Sequence, residues 1–255
     1  MKTPAKISEG LKFMSYANIK SLVGKMKYKL KVYLRFFQFR LFPKKKNDIV
    51  EQFHKLYYDS NILGGTWKNT FFLGIATQKC PFDLFIYQEI LYELKPDVIV
   101  ELGTAFGGGA LFLASICDLI NNGEVISVDI NDINGKPSHK RIKYLIGSSI
   151  SNEIVGQVKE LIKNKNKVLI ILDSDHSKGH VLKELMIYSK LVSLGSYIIV
   201  EDSNIHGHPV QPDHGPGPAE AIEEYFKEYS DFMVDKSREK FYLTFNPGGY
   251  LKKIK

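Results

Sequence analysis

The sequence predicts an α/β protein with a doubly wound, Rossmann-like, mostly parallel sheet of seven strands that finishes in an antiparallel hairpin. Three observations lead to this prediction. Short apolar runs alternate with helical segments, the first run leads into a glycine-rich loop, and the chain closes with apolar segments around an NPGG turn. Such alternation is typical of βαβ units, whose crossover connections make successive strands parallel.

Charge is distributed unevenly along the chain and suggests two domains. The 255 residues are 44% hydrophobic, which is enough for one sizeable core. The net charge is +7, but residues 1–46 contain thirteen Lys/Arg and one acid, so they carry +12 and leave −5 for the rest. We therefore predict a basic amphipathic helical extension over residues 1–47 and a catalytic domain over residues 48–255.

The extension contains KYKLKVYLRFFQFRLFPKKK (27–46), which predicts a basic amphipathic helix that ends at Pro43. Such a helix can lie on an anionic membrane surface, or pack on the domain or on a second subunit of a homo-oligomer; both remain open. Nucleic acid is not expected, because no recognised binding motif accompanies the charge. Without an apolar span or a secretory signal, and with two cysteines, we expect a cytoplasmic protein, with peripheral contact at the inner membrane face open.

The catalytic domain should begin with helices DIVEQFHKLYY and CPFDLFIYQEILYELKP. Five strands are then predicted: DVIVELG, GEVISVDI, RIKYLIG, KVLIILDSD and SYIIVED, of which the apolar run DVIVELG is typical of a buried parallel strand. The helices between them are GGGALFLASICDLIN, SNEIVGQVKELIKN and VLKELMIYSKLVSLG. After helix GPAEAIEEYFKEYS come FMVDK, KFYLTFN and GYLKKI, and we expect NPGG to join the last two as antiparallel strands.

The glycine loop after the first strand, VELGTAFGGG, suggests a nucleoside site. It places Glu101, Gly103, Gly107 and Gly108 at the strand-to-helix turn. The spacing is E-x-G-x-x-x-G, which is neither the dinucleotide fingerprint nor a Walker A loop. Asp129 ends the second strand, where an acid can accept hydrogen bonds from both ribose hydroxyls. Nucleoside binding is favoured over a purely packing role, while NAD and S-adenosylmethionine stay open here.

Acidic residues end two further strands. Asp173 and Asp175 follow the fourth strand, and Glu201 and Asp202 follow the fifth. Since both ends lie at the carboxyl edge of a parallel sheet, the carboxylates should repel one another unless a cation balances them. Oxygen ligands without cysteine suit Mg²⁺, Mn²⁺ or Ca²⁺. The alternative is that these acids cap the following helices.

Basic side chains at the same edge are candidates for a general base. We single out His176, Lys178 and His206, since a base must lie beside the proton that it removes. His208 and His214 occur in the same loop, residues 206–218. This Gly/Pro/His-rich loop is either a substrate lid or a long crossover to the next helix.

Several stretches in order resemble the cephalosporin hydroxylase / rhamnosyl O-methyltransferase family. They are TWKNTFFLGIATQKCPFDLFIYQEILYELKPDVIVELGTAFGGGALFLA, VISVDI, LDSDHSKGHVLKEL, SYIIVEDSNIHGHP, GPGPAEAIEEYF and NPGGYLKK. The resemblance covers about Thr66 to Lys253 and implies a class I methyltransferase fold. It implies S-adenosylmethionine, with candidate contacts at Glu101, Gly103, Thr104, Gly107, Gly108, Asp129, Ser148 and Asp173. It also implies Mg²⁺ or Mn²⁺ at Glu201 and Asp202 with Asp173 or Asp175, of which Asp173 is favoured because it directly ends the strand.

From these features we predict an S-adenosylmethionine-dependent, divalent-metal-assisted O-methyltransferase. Its acceptor would be a hydroxyl of a sugar or glycan, such as a surface polysaccharide, or of a glycosylated natural product. The cation would lower the pKa of that hydroxyl and orient it toward the methyl group. The alternatives are an NAD-dependent oxidoreductase or hydroxylase-type enzyme on the same fold, and a non-catalytic nucleoside-binding scaffold.

Overall fold

The computed structural model describes residues 16–213 and 215–255, with side chains from residue 23 onward. The described chain divides after Ile49 into an N-terminal unit and a larger unit, Val50–Lys255. The functional division into residues 1–47 and 48–255 stays a prediction. Among these residues, every helix falls short of the length or apolarity that crossing a bilayer requires.

The N-terminal unit is helical. Helix α1 spans Tyr16–Leu41, and helix α2 begins at Pro43 and continues to Asp59 in the larger unit. Proline suits the first turn of a helix, because the amide hydrogen that it lacks has no acceptor there. The predicted helix therefore ends just before Pro43, whereas residues 43–46 belong to the next helix. Many apolar side chains of α1 are exposed, including Met26, Tyr28, Leu30, Tyr33, Phe36 and Phe37.

The larger unit contains a two-stranded sheet, a seven-stranded sheet and five further helices among the described residues. The strands are β1 (Phe71–Phe72), β2 (Ile75–Ala76), β3 (Val98–Leu102), β4 (Glu124–Asp129), β5 (Ile142–Ile146), β6 (Val168–Leu172), β7 (Tyr197–Val200), β8 (Phe232–Val234) and β9 (Tyr250–Lys253). The helices are α3 (Pro81–Leu94), α4 (Gly108–Leu119), α5 (Asn152–Ile162), α6 (Lys178–Tyr188) and α7 (Pro218–Glu228).

The order of the large sheet is β5-β4-β3-β6-β7-β9-β8. Strands β3 to β7 are parallel, and β9 runs antiparallel to both β7 and β8. This confirms the predicted doubly wound, mostly parallel sheet with an antiparallel end. The order reverses between β3 and β6, and in open α/β sheets ligands bind at such a switch point, beyond the carboxyl ends of the strands.

Helices cover both faces of the sheet, which explains why the central strands are buried and, apart from Glu101 near the end of β3, apolar. Every residue of β3 and β6 is buried. Val98, Val100 and Leu102 face one core with α5, α6 and α7. Ile99 lies in the opposite core with α3 and α4. Residues that alternate between two buried faces produce continuous apolar runs instead of an alternating pattern.

The predicted strand KFYLTFN is wrong. Residues 240–246 form no strand, and the antiparallel partner of β9 is β8, across a long connection that contains a short 3₁₀ turn, Lys236–Glu239. Asp83 on α3 fixes the segment, since it accepts hydrogen bonds from Thr244 Oγ1 (2.5 Å) and Phe245 N (2.8 Å). Four consecutive residues from Leu243 are buried there, which a strand with alternating faces would not produce.

Candidate active site

A cavity of about 640 Å³ opens at the carboxyl edge of the sheet. Loops that follow β3, β4, β5, β6 and β7 line it, together with residues from α2 and from the segment before α3. The volume lies in the range of small-molecule sites, which is about 300–1,000 Å³. Of the predicted donor-binding residues, the cavity wall includes Glu101, Gly103, Thr104, Asp129, Ser148 and Asp173.

Gly103 is required by the protein's own packing. Its φ is +94°, and a Cβ atom there would lie 1.8 Å from the backbone oxygen of Asp173. No other residue fits both the backbone conformation and this close approach of two chain segments. The glycine thus brings the loop after β3 directly against the end of β6.

Gly107 and Gly108 also serve packing, and they lie outside the cavity lining. A Cβ on Gly107, whose φ is +83°, would lie 2.7 Å from Pro137 Cδ, and one on Gly108 would lie 2.2 Å from the Ala76 oxygen. The sequence prediction assigned both glycines to ligand contact. The structure places them at the start of α4, where they pack against neighbouring loops.

Glu101 brings an ionisable group into the wall of the cavity. It is fully buried, and its Oε2 accepts a hydrogen bond from Ser127 Oγ at 2.7 Å. Burial raises its pKa, although the charge of Lys79 opposes this shift. Glu101 Oε1 and Thr104 Oγ1 lack hydrogen-bond partners of normal geometry among the described residues. Because unmet buried polar atoms are costly, they suit a polar ligand in the cavity.

Asp129 anchors the loop after β3. Its Oδ2 accepts hydrogen bonds from the backbone nitrogens of Thr104 (3.0 Å) and Ala105 (2.8 Å), and its Oδ1 accepts one from Asn131 N (2.8 Å). A carboxylate can accept about four hydrogen bonds. Asp129 therefore holds the loop and keeps acceptor capacity at the cavity wall, while its contact with a ribose stays a prediction.

Three side chains beyond β6 and β7 form a group that could hold a cation. One ligand atom each from Asp173, His176 and Asp202 lie within 4.8 Å of one another. His176 Nε2 lies 3.3 Å from Asp202 Oδ2. Asp202 has a left-handed backbone, with φ +54°, and its N–H donates to Asn246 Oδ1 at 3.2 Å. This turn separates the side chains of Glu201 and Asp202.

Lys79 is the main site residue that sequence reasoning missed. Its ammonium nitrogen lies 2.6 Å from Asp173 Oδ2 and 2.7 Å from Glu201 Oε1, and only 5% of its side chain is exposed. Burial lowers its pKa, but the two carboxylates more than offset this, so the pKa lies well above the usual value. The protein thus supplies part of the positive charge that the acidic strand ends require. The local sequence around Lys79, QKCPF, does not indicate these distant partners.

The four predicted metal ligands therefore differ in position. Asp173 and Asp202 belong to the three-residue group. Glu201 is buried beside Lys79; burial first, and then the charge of Asp173, raises its pKa to about 7. Asp175 lines the cavity, but its Oδ1 accepts a hydrogen bond from Ser177 N at 2.7 Å at the start of α6. The geometry thus favours Asp173 over Asp175.

Of the three predicted bases, His176 lines both the main cavity and a neighbouring one, and the other two line only the neighbouring one. Lys178 and His206 line it with Gly215 and Pro216. Lys178 Nζ lies 3.6 Å from Glu224 Oε2.

His206 and His208 lie in the loop 206–218, outside the three-residue group. The ring of His206 packs so closely on Gly217 that a Cβ there would lie 1.9 Å from it. His208 Nε2 is bonded to Glu220 Oε1 at 2.6 Å, on the exposed side of the loop. His214 lies outside the described residues. Of His176, His206 and His208, His176 is thus the one that belongs to the three-residue group.

An aromatic wall closes the side of the cavity beyond β7. Tyr58 and Trp67 line it together with Ile205. The two aromatic rings lie 5.3 Å apart, and Phe245 meets Trp67 edge-on at 6.1 Å. Sequence reasoning did not place Tyr58 and Trp67 at the site, because more than 100 positions separate them from β7.

Comparison with known proteins agrees with this architecture. Residues 65–254 match the family model described as Rhamnosyl O-methyltransferase/CmcI. A rhamnosyl O-methyltransferase of Mycobacterium bovis (strain BCG / Pasteur 1173P2) is 40% identical over 223 residues, which cover 84% of this chain and 89% of the relative. That of Mycobacterium leprae (strain TN) is 41% identical over 212 residues, which cover 80% and 90%.

Two solved structures show the same fold. The "CmcI-N160 apo-structure" superposes with a TM-score of 0.58 at 18% identity, covering 74% of this chain and 77% of that chain. The structure described as "cmcI-D160 Mg-SAM" gives a TM-score of 0.54 at 18% identity, covering 74% and 78%. The predicted class I methyltransferase fold is confirmed, and the chain belongs to the rhamnosyl O-methyltransferase/CmcI family.

Proposed function

We propose that this chain is an S-adenosylmethionine-dependent, divalent-metal-assisted O-methyltransferase that acts on a sugar hydroxyl of a glycan or a glycosylated small molecule. One observation carries the proposal: a nucleoside-type loop and a group of cation ligands line the same cavity at the carboxyl edge of one sheet. The name of the mycobacterial relatives, rhamnosyl O-methyltransferase, and the Mg and SAM of a structural neighbour support it.

The donor is proposed to lie over β3, β4 and β5. Glu101 and Thr104 present buried polar side chains there, and the carboxylate of Asp129 ends β4. Ser148 adds a hydroxyl beyond β5. This combination of acceptors and hydroxyls fits the amino acid and ribose parts of S-adenosylmethionine. When bound, that cofactor supplies a methyl group on a positively charged sulfur.

The cation is proposed to bind at Asp173 and Asp202, with Glu201 close behind them. Carboxylate oxygens are the ligands that Mg²⁺ and Mn²⁺ prefer, which matches this donor set. When bound, a divalent cation lowers the pKa of a hydroxyl that it contacts. Lys79 holds one oxygen of Asp173 and one of Glu201, so it orients both carboxylates and balances part of their charge.

His176 is proposed to accept the proton of the acceptor hydroxyl. Burial lowers its pKa, but the charges of Asp202 and Asp173 outweigh burial and raise it. Asp202, 3.3 Å away, orients the ring and stabilises the imidazolium that forms. Replacement by alanine tests this role: we expect His176→Ala to lose turnover and keep Mn²⁺ binding, measured by electron paramagnetic resonance. Loss of Mn²⁺ binding would make His176 a ligand instead of a base.

Calorimetry and a methyl-transfer assay test the overall function. We expect the protein to bind S-adenosylmethionine and not NAD, to methylate a rhamnoside, to lose turnover with EDTA, and to regain it with Mg²⁺. Binding of NAD alone would favour the oxidoreductase alternative. Donor binding with no methylation of any glycoside would favour the nucleoside-binding scaffold.

The basic helix α1 is proposed to contact an anionic membrane surface. Its exposed apolar residues, such as Leu30, Tyr33 and Phe37, alternate with lysine and arginine. We expect the full chain to sediment with phosphatidylglycerol vesicles and not with phosphatidylcholine vesicles, and Tyr33→Glu with Phe37→Glu to abolish this. If the double variant instead dissociates an oligomer in light scattering, α1 forms a subunit interface.

A further inference from the structure

The single tryptophan of the chain, Trp67, lines the same cavity as the donor loop and the cation ligands. It lies in a short 3₁₀ turn, Thr66–Asn69, and its side chain is partly exposed. A partly exposed aromatic side chain in the wall of a cavity offers an apolar surface to a ligand.

The indole is held in place from behind. Trp67 Nε1 donates to the Tyr58 carbonyl oxygen at 3.3 Å, the Tyr58 ring lies 5.3 Å away, and Phe245 packs edge-on. The exposed ammonium of Lys68 lies 5.2 Å from the indole centroid. A rigid aromatic surface costs little conformational entropy when it binds a ligand, which suits it to recognition.

The aromatic wall adjoins the proposed cation ligands. Ile205 lies three residues after Asp202, and its N–H donates to the backbone carbonyl oxygen of Asp202 at 3.3 Å. Tyr58 and Asp202 line the same cavity, so a ligand that contacts the acids can reach the wall.

Two exposed amides, Gln78 and Gln211, border the same wall. Both have left-handed backbones, with φ of +55° and +51°. Such conformations are unfavourable in residues other than glycine and cluster at functional sites. An amide both donates and accepts hydrogen bonds, as the recognition of sugar hydroxyls requires.

The residues proposed to bind the donor over β3, β4 and β5 do not include those of the wall. Of the wall residues, Ile205 follows β7, which lies on the other side of β6 in the sheet order, and Tyr58 and Trp67 come from the segment before β1. We propose that Trp67, with Tyr58 and Ile205, is the platform on which the acceptor's pyranose ring stacks, and that Gln78 and Gln211 bind its hydroxyls. This assignment rests on the proposed function. The C–H face of a pyranose is apolar and flat enough to cover an indole, while its hydroxyls point outward to the amides and the acids.

Sugar binding without turnover tests the platform. The full chain is loaded with S-adenosylhomocysteine and Mg²⁺ and titrated with methyl α-L-rhamnopyranoside. Because Trp67 is the one tryptophan, its fluorescence should change as the sugar binds. In calorimetry we expect Trp67→Ala to weaken sugar binding about tenfold and Trp67→Phe about threefold or less, with S-adenosylhomocysteine affinity unchanged. Tyr92→Ala, at an exposed aromatic residue of α3 that lines another cavity, is the control.

Since Trp67 also packs on Tyr58, Gln211→Ala provides a second variant at an exposed position, where we expect sugar binding to fall about threefold or more. Unchanged sugar affinity in both Trp67→Ala and Gln211→Ala would overturn the platform, as would a wild-type chain that binds S-adenosylhomocysteine but not the rhamnoside. Failure of the wild-type chain to bind S-adenosylhomocysteine would instead overturn the proposed function.

Discussion

The two halves of the cavity are built by different means. In the half over β3, β4 and β5, Asp129 satisfies backbone amides of a loop that lies 24–25 residues earlier in the chain. In the half beyond β6 and β7, Lys79 meets carboxylates that lie 94 and 122 residues later. The first half depends on local spacing and backbone, and the second on charges brought together from distant segments. We therefore expect substitutions to affect donor binding and cation chemistry separately.

Asp202→Asn should show the largest difference between the effect on turnover and the effect on donor binding. The substitution removes the charge of a proposed cation ligand while keeping the size of the side chain, so we expect turnover to fall about a thousandfold. S-adenosylmethionine affinity, measured by calorimetry, should change about twofold at most. Asp175→Asn, whose carboxylate accepts from Ser177 N at the start of α6, is the matched control and should keep most activity. Equal losses in both variants would contradict the assignment.

Lys79→Met should affect stability more than donor binding. It leaves Asp173 and Glu201 without their buried cation, and breaking a buried ion pair costs about 3–5 kcal/mol of unfolding free energy. Denaturant unfolding measures the loss, and Mg²⁺ should restore part of it. The control is Lys240→Met, since Lys240 pairs with Glu89 near the surface and should contribute little. A variant as stable as the wild-type chain would show that the lysine is dispensable.

Asp129→Ala should weaken donor binding in the half of the cavity over β3, β4 and β5. The amides of Thr104 and Ala105 lose their acceptor, so we expect S-adenosylmethionine to bind about tenfold more weakly. Mn²⁺ affinity should stay unchanged. Asp132→Ala, at a well-exposed acid three residues later, serves as the control. If Mn²⁺ affinity fell together with donor affinity, the two halves would not be independent.

The smallest effect should be a pH dependence at Asp83, which supports the acidic half through Thr244 and Asn246. Burial raises the pKa of Asp83 from 3.8 to about 7, although three hydrogen bonds oppose the shift. Its contribution to stability is therefore present below pH 4 and is lost as pH rises through 7. Between pH 6 and 8 the wild-type chain should lose about 1 kcal/mol more unfolding free energy than Asp83→Asn. If the unfolding free energies of the two chains changed equally with pH, Asp83 would not be the source of the pH dependence.

Sequence reasoning succeeded where structure follows from local pattern. Apolar runs identified β3 to β7, and the positions after β6 and β7 brought Asp173 and Asp202 to one edge. It failed where a residue's role depends on distant neighbours. Gly107 and Gly108 have the spacing of a ligand loop but pack on other loops, and nothing near Lys79 indicates its partners.

The C-terminal segment shows the same limit. KFYLTFN has the composition of a strand, yet the hydrogen bonds from Thr244 and Phe245 to Asp83, more than 160 positions away, fix another conformation. Trp67 likewise has no local signal, since its wall forms only when the segment before α3 meets the residues after β7. Composition indicates which secondary structures a segment can adopt, and tertiary hydrogen bonds determine which of them it adopts in the folded chain.

Gly103 has a consequence for how the two ligands communicate. With no side chain, it packs on the backbone of Asp173, so the loop proposed to receive the donor and the acid proposed to receive the cation share one backbone contact. A backbone displacement at this contact would be shared by both segments, unlike the side-chain substitutions above, each of which acts within one half. Linkage then requires reciprocity: if the donor changes the cation's dissociation constant by some factor, the cation changes the donor's by the same factor. Titrating the donor with and without Mg²⁺, and Mg²⁺ with and without the donor, should therefore give the same ratio of dissociation constants.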